Sequence, residues 1–194
     1  RQMCIRDRYA PSRDQEKAKE YLATALSELG CTVDDLSAHL SIDCGDSPTS
    51  IAEASFYQEQ WRQVLGIEVA VNSMITKQGS QNRKTGNYVM SITGWGPDYN
   101  DPNTFLDMWV TDGGNNQTGF SNERYDELID LAAKETDLEK RESYFIECEQ
   151  IIADQLPIGP SFWRAPSYAC SDKIKGGMHR STFQDINAVY VKLS

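Results

Sequence analysis

Two apolar alternating runs on either side of one helix-length segment constrain this chain more than any other feature. Leu36, Ala38, Leu40, Ile42 and Cys44 alternate with Asp35, Ser37, His39, Ser41 and Asp43, the period of a strand with one buried face. Ile67, Val69 and Val71 alternate in the same way. Between the runs, Gly45 to Ser50 with Pro48 forms a turn that opens a helix to about Leu65, and Gly66 stops it. Ile51, Ala52, Phe56, Trp61 and Leu65 are its expected inward set. Strand, helix and strand in this order make a βαβ unit, which implies parallel pairing through a right-handed crossover. The expected class is α/β.

The neighbouring segments extend this frame. Ala18, Tyr21, Leu22, Ala25, Leu26 and Leu29 repeat at helical spacing from Asp14, and Gly30 sits where a C′ glycine belongs. A polar segment, Thr76 to Gly86, leads to a third apolar strand, Tyr88 to Ile92. That strand empties into Gly94-Trp95-Gly96, then Asp98, Tyr99 and the Asp101-Pro102 pair. Pro102 suits a first helical position with Asp101 as its cap, for a short helix through Trp109. After a Gly/Asn-rich loop, Thr111 to Gln117, Ser121 is read as the cap of a helix that buries Tyr125, Leu128, Ile129 and Ala132. Thr136 to Glu139 reads as a capping box. The helix it opens carries Tyr144, Cys148, Ile151 and Ile152 until Leu156-Pro157 ends it.

The tail changes character. Residues 158–163 and 167–170 read as short aromatic strands, Ile174 to Gly177 as a loop, and 188–193 as a last apolar strand. No partner for these strands lies nearby in sequence, so they are expected to return to another sheet. Residues 1–8 differ from everything after them and are read as an assembly artefact, leaving 9–155 as the α/β lobe and 156–194 as a return segment.

Charge and cysteine content exclude several classes. A net charge of -10 leaves no basic face for nucleic acid. No apolar run reaches the roughly 20 residues a bilayer-spanning helix needs, and no signal peptide is visible. The five cysteines show no metal-ligand spacing with the two histidines, His39 and His179. No metal or other cofactor is expected, and Cys31–Cys44 is the one bridge worth testing.

The chemistry concentrates in residues 94–102. Strand ends that spill into glycine-rich turns are where α/β proteins place binding groups. Asp98 and Asp101 could form the acid/base pair of a glycoside hydrolase, which needs two carboxylates about 5–10 Å apart. The competing reading makes Asp101 a helix cap and Asp98 an acceptor for a backbone or ligand N–H; it is preferred, because Asp-x-x-Asp-Pro is also the pattern of a capped turn. Trp95 is either a core residue or a stacking surface. Neither histidine lies in a motif with a nucleophile, and Gly-x-Ser-x-Gly and the phosphate-cradling Gly-x-x-x-x-Gly-Lys-Ser/Thr are both absent. Asn116-Gln117-Thr118 fits the N-glycosylation triplet, a pattern common by chance. Residues 134–142 read as a solvated, charged helix face.

Several stretches in their order resemble the bacterial extracellular solute-binding proteins of family 5. Asp14 to Leu22 is similar to that family's DPEKAKELL helix, and Gln60-Trp61 with Leu65 to Val69 to its helix-to-strand step. Gly94-Trp95, Asp98-Tyr99 and Asp101-Pro102 resemble its GWxxDYxDP segment. Phe120 to Asn122 with Tyr125 to Ile129, and Leu156 to Ile158, resemble its later helix and its return to the first lobe. The resemblance implies a periplasmic-binding-protein-like second lobe of the class II type, with C-terminal strands returning to a first lobe that is missing here. It implies a non-enzymatic receptor that closes on a small ligand, a peptide above all, and delivers it to the permease subunits of an ABC importer. The implied receptor is a monomer, periplasmic or lipid-anchored outside the cell. Gly94, Trp95, Gly96, Asp98 and Tyr99 would line the ligand site, with Asp98 meeting the peptide ammonium. Ile92 stands where some oligopeptide receptors carry an arginine for the ligand carboxylate. Relatives with this fold bind oligosaccharide, haem or nickel chelates, which Trp95 would also serve.

Overall fold

The structure is a computed structural model that describes residues 14–162 and 170–174, with the backbone of 175, 179–180, 186–187 and 192–193. The described residues up to Gly94 form one compact unit and those from Trp95 onward a second.

The first unit is built on the expected crossover. Strands β1 (Ser41–Gly45), β2 (Ala70–Met74) and β3 (Met90–Ser91) form a parallel sheet in the order β2-β1-β3. Ser41 lies opposite Ala70 and Ile42 opposite Met90. β1 is therefore central, and Ile42, Asp43 and Cys44 are buried in succession rather than alternately, as parallel strands covered on both faces are. Asp43 tolerates this because its carboxylate accepts N–H bonds from the Asn72 and Asn82 amides, each at 3.2 Å.

The helices α1 (Gln15–Leu29) and α3 (Pro48–Leu65) begin and end where the sequence places them. Asp14 and Ser47 cap their N-termini, and Gly30 and Gly66 adopt left-handed φ of 64° and 69° at their ends. The inward set of α3 differs from expectation. Ala54 is fully buried and Tyr57, Trp61 and Leu65 pack on the sheet core, whereas Ile51, Ala52 and Phe56 face outward. Gln58 fixes this rotation by donating to the Val69 carbonyl at 2.6 Å.

Three local readings of this unit need correction. The alternation from Leu36 to Leu40 is not strand; α2 (Val33–Ser37) occupies its first half. Thr32 Oγ1 accepts the Asp35 N–H while Asp35 accepts the Thr32 N–H, a reciprocal cap that commits the segment to helix before the strand begins. Leu36 and Leu40, four apart, then reach the same core. Thr76–Thr85 is a helix, α4, although no apolar stripe marks it. The third strand shortens to two residues, with Ile92 N–H donating to the Asp43 carbonyl at 2.8 Å.

The second unit is helical at its core. α5 (Asn103–Leu106) runs into a 3₁₀ turn, Asp107–Trp109, and the long helices α6 (Glu123–Lys134) and α7 (Leu138–Gln155) form an adjacent pair. Tyr125, Leu128, Ile129 and Ala132 are buried as expected, against Leu106, Phe145, Cys148 and Ile152. Tyr144 and Ile151 lie at the margin, so the stripe on α7 is rotated by one residue. The caps also shift by one. Asn122, not Ser121, accepts the Tyr125 N–H, and Asp137, not Thr136, accepts the Lys140 N–H. In the tail, Ile174–Lys175, read as loop, is strand β4; it pairs antiparallel with β7 (Lys192–Leu193). β5 (His179–Arg180) pairs with β6 (Ile186–Asn187). These strands find partners within the tail itself. Residues 158–162 are not strand, and 163–169 and 188–191 lie outside the described residues.

The described cysteines, Cys31, Cys44, Cys148 and Cys170, are all free, so the Cys31–Cys44 bridge is not formed. Among the described residues no helix is long and apolar enough to cross a membrane.

Leu128 has no exposed surface whereas Leu138 is 78% exposed. Leu128→Ala is expected to lower unfolding stability by about 2–5 kcal/mol, the range for deleting a buried leucine side chain, and Leu138→Ala by less than about 0.5 kcal/mol. Equilibrium urea unfolding measures both; equal losses would contradict the assigned core.

Candidate functional site

The turn from Trp95 to Pro102 is held by its own backbone, by the short helix that follows it and by a helix well beyond it in sequence. Thr104, buried on α5, accepts the Asp98 N–H at its Oγ1, 3.0 Å away. Asp101 Oδ1 accepts the Asn103 N–H at 2.9 Å. The same carboxylate receives two parallel bonds from Arg141 on α7: Nη1 to Oδ2 at 2.7 Å and Nη2 to Oδ1 at 2.9 Å. Arg141 Nε donates to the Ala132 carbonyl at 2.9 Å, and the guanidinium lies 4.6 Å from the Phe145 ring centre. This fork holds the Asp101 carboxyl below the usual carboxylate range, with burial opposing it.

Beside it, Tyr99 and Asn103 form a second, more exposed group. Asn103 Nδ2 donates to Tyr99 Oη at 2.9 Å and to Asp107 Oδ2 at 3.1 Å, and Tyr99 Oη donates to Asp107 at 3.2 Å. Partial burial raises the Tyr99 hydroxyl, and the Asp107 charge adds to the rise. Below them, Tyr125 Oη donates to the Leu106 carbonyl at 2.6 Å and Trp109 Nε1 to the Phe105 carbonyl at 3.0 Å. The Tyr125 bond ties the segment after the turn onto the buried helix pair, and the Trp109 bond closes that segment on itself.

The side chains of Trp95 and Asp98 make no such hydrogen bond among the described residues. The Asp98 carboxylate is exposed and accepts no hydrogen bond among the described residues. Trp95 is 40% exposed and Tyr99 41% exposed, so Trp95 is not a core residue. A Cβ at Gly94 or Gly96 would meet nothing within 4 Å, and neither glycine has a positive φ. Nothing in the packing of the described residues requires glycine there, which leaves open backbone on both sides of the indole.

The geometry weakens the hydrolase reading. A general acid needs a carboxyl pushed up towards neutral pH, and Asp101 is pushed down and doubly bonded to arginine. His39 is exposed and α2 ends two residues before it, and no cluster of metal-ligating groups forms among the described residues. Burial pushes the Cys148 thiol up to about 12, which leaves it inert. Asn116 is a structural residue: its Nδ2 donates to the carbonyls of Trp109, Val110 and Phe120 at 3.4, 3.0 and 2.8 Å. A glycan on that nitrogen would break this turn.

Sequence pattern does not reach Thr104 or Arg141. Arg141 stands 40 residues from Asp101 and in a charged stretch whose neighbouring members Asp137, Glu139 and Lys140 are exposed.

The turn thus presents, among the described residues, an unpaired carboxylate and an exposed indole on a braced backbone. Residues 5–117 match the bacterial extracellular solute-binding proteins, family 5, middle region, and the chain belongs to this family. It is 33% identical over 176 residues to the oligopeptide-binding protein OppA of Bacillus subtilis (strain 168), covering 87% of this chain and 31% of that protein. It is 32% identical over 187 residues to a dipeptide-binding protein of Lactococcus lactis subsp. cremoris, covering 93% of this chain and 34% of the relative. Among solved structures, the substrate-binding domain of an oligopeptide ABC transporter from Bacillus anthracis matches with a TM-score of 0.80 at 26% identity, over 93% of this chain and 35% of that one. Listeria monocytogenes OppA bound to peptide matches with a TM-score of 0.77 at 28% identity, over 93% and 34%. The chain spans about a third of the length of these curated relatives. The family and these relatives are binding proteins.

A carboxyl depressed in the folded protein contributes stability that is complete above its unfolded value, about 3.9 for Asp, and is lost as pH falls through the folded value. The gap in urea midpoint between wild type and Asp101→Asn should therefore be widest near neutral pH and close as pH falls below about 4. A gap independent of pH would show that the ion pair contributes nothing. Asn116→Ala should cost about 1–3 kcal/mol by leaving carbonyls unpaired, measured by the same unfolding experiment.

Proposed function

We propose that this chain belongs to the substrate-binding component of an ABC importer, which captures peptides by lobe closure and delivers them to the permease subunits. The observation that carries this is the exposed, unpaired Asp98 carboxylate beside Trp95, on a turn whose other carboxylate is neutralised by Arg141. A peptide's α-ammonium is a compact cation, and a charge-assisted bond to it in a closing cleft is stronger than a neutral one. Trp95, Gly94, Gly96 and Tyr99 would supply surface and backbone around that bond. Affinity for an extended peptide then comes mainly from backbone contacts that ignore side-chain identity. The oligopeptide and dipeptide receptors among the relatives support this reading.

In a protein of the relatives' length, residues 9–155 would form the second, ligand-binding lobe, and 156–194 would return to the first. Closure would be a hinge motion of lobe against lobe. The protein would act as a monomer, in the periplasm or anchored outside the cell; the family description and the periplasmic relatives support a place outside the cytoplasm.

Native mass spectrometry of the complete gene product should show co-purified peptides. Asp98→Asn should weaken binding of a tripeptide with a free N-terminus by about 10–100-fold, the size of one charge-assisted bond, and leave an N-acetylated tripeptide unaffected. Isolation with only sugar, haem or a nickel chelate would sink the peptide assignment and leave the receptor assignment standing. Equal losses for both peptides would remove Asp98 from the ammonium site.

A further inference from the structure

We infer that Arg141 positions the ligand-binding turn and selects which of its carboxylates a ligand meets. This rests on the peptide-capture reading above. The turn from Trp95 to Pro102 carries two carboxylates, Asp98 and Asp101, three residues apart. Both would attract a cation if both were free. Arg141 removes Asp101 from that competition with a planar fork, while Asp98 stays open.

The fork is oriented by three fixed surfaces. Arg141 Nε is held by the carbonyl of Ala132 in the last turn of α6, where helix carbonyls lack partners of their own. Its guanidinium lies against Phe145, which is 5% exposed. Its two terminal nitrogens both reach Asp101. Side-chain exposures of 23% for Arg141 and 28% for Asp101 place the pair where solvent screens it only in part. Asp101 passes the restraint on, accepting the Asn103 N–H that starts α5. Thr104, one residue later, holds the Asp98 N–H. The path from Arg141 to the backbone of Asp98 therefore consists of hydrogen bonds within a single compact unit. Lysine cannot substitute for it, because a point charge cannot serve the carbonyl and both carboxylate oxygens together.

Two measurements on Arg141→Gln, Arg141→Lys and the double variant Asp101→Asn/Arg141→Gln test this. The first is isothermal titration of the complete gene product, at low salt, with trialanine and with Lys-Ala-Ala. Arg141→Gln frees Asp101 as a second anion, so the preference for the lysine peptide should rise about fivefold or more over wild type. The double variant should return it to the wild-type ratio, and Arg141→Lys should stay near wild type because it keeps the charge. The second is amide exchange of the unliganded protein by NMR. The Asp98 and Asn103 amides should exchange at least about tenfold faster in Arg141→Gln, with a smaller increase in Arg141→Lys and no change in the middle of α6. An unchanged peptide ratio overturns the charge-selecting role, and unchanged exchange overturns the positioning role. If wild type binds neither peptide, the peptide reading fails by itself. The exchange rates then decide the inference alone, with acceleration confined to residues 98–104 upholding it.

Discussion

Arg141 gathers three groups that have no sequence relation to one another: a helix-end carbonyl, an aromatic ring and the carboxylate of Asp101. A surface ion pair is worth little, because solvent screens it and two long side chains must be ordered. This one is half-sheltered and two-pronged, and the arginine is already oriented by Ala132 and Phe145. Much of its ordering is done by packing that α6 and α7 make for their own reasons. The turn from Trp95 to Pro102 can then be both irregular and well placed. Glycines on either side of Trp95 leave the backbone open, and Thr104 and Asp101 keep that openness from becoming disorder.

The same division of labour appears in the first unit. The crossover from β1 through α3 to β2 creates a central strand covered on both faces, and the covering helices must then satisfy whatever the strand carries inward. Asp43 is the costly residue there. A buried carboxylate is tolerated only when hydrogen-bonded, and Asn72 on β2 and Asn82 on α4 supply the two donors. Asn82 sits on the helix with no apolar stripe. That helix is held by polar contacts such as these and by Arg83 to Ser91 Oγ at 3.3 Å, which explains how so polar a segment stays ordered.

What was legible in the residues follows from how local the cause is. Helix ends at Gly30 and Gly66 depend on one residue's freedom to adopt a left-handed φ. The buried face of α6 depends on spacing within twelve residues. Both could be read directly. Errors occurred where two local signals compete. The alternation through Leu36–Leu40 satisfies a strand's period, but Thr32 and Asp35 form a reciprocal cap, and hydrogen bonds made at once outweigh a pattern that needs a partner strand. Adjacent cap-forming residues, Ser121 with Asn122 and Thr136 with Asp137, compete in the same way, and only the exact backbone angle chooses between them. In the tail, two-residue strands leave too short a pattern to reveal that they pair with one another.

The sequence by itself determined the α/β class, the parallel crossover, the helix pair and the place of the glycine-flanked turn, because each rests on spacing or on the chemistry of a single residue. Family membership was legible for the same reason: Gly94-Trp95, Asp98-Tyr99 and Asp101-Pro102 stand together in the chain. Tertiary structure decided what each carboxylate does. Asp98 and Asp101 are equivalent as letters, three residues apart in one turn. One is left to solvent and the other is taken by an arginine 40 residues away, because α7 folds back along α6 and brings that side chain to the turn. A charge is defined by what surrounds it, and the surroundings exist only once the chain has folded.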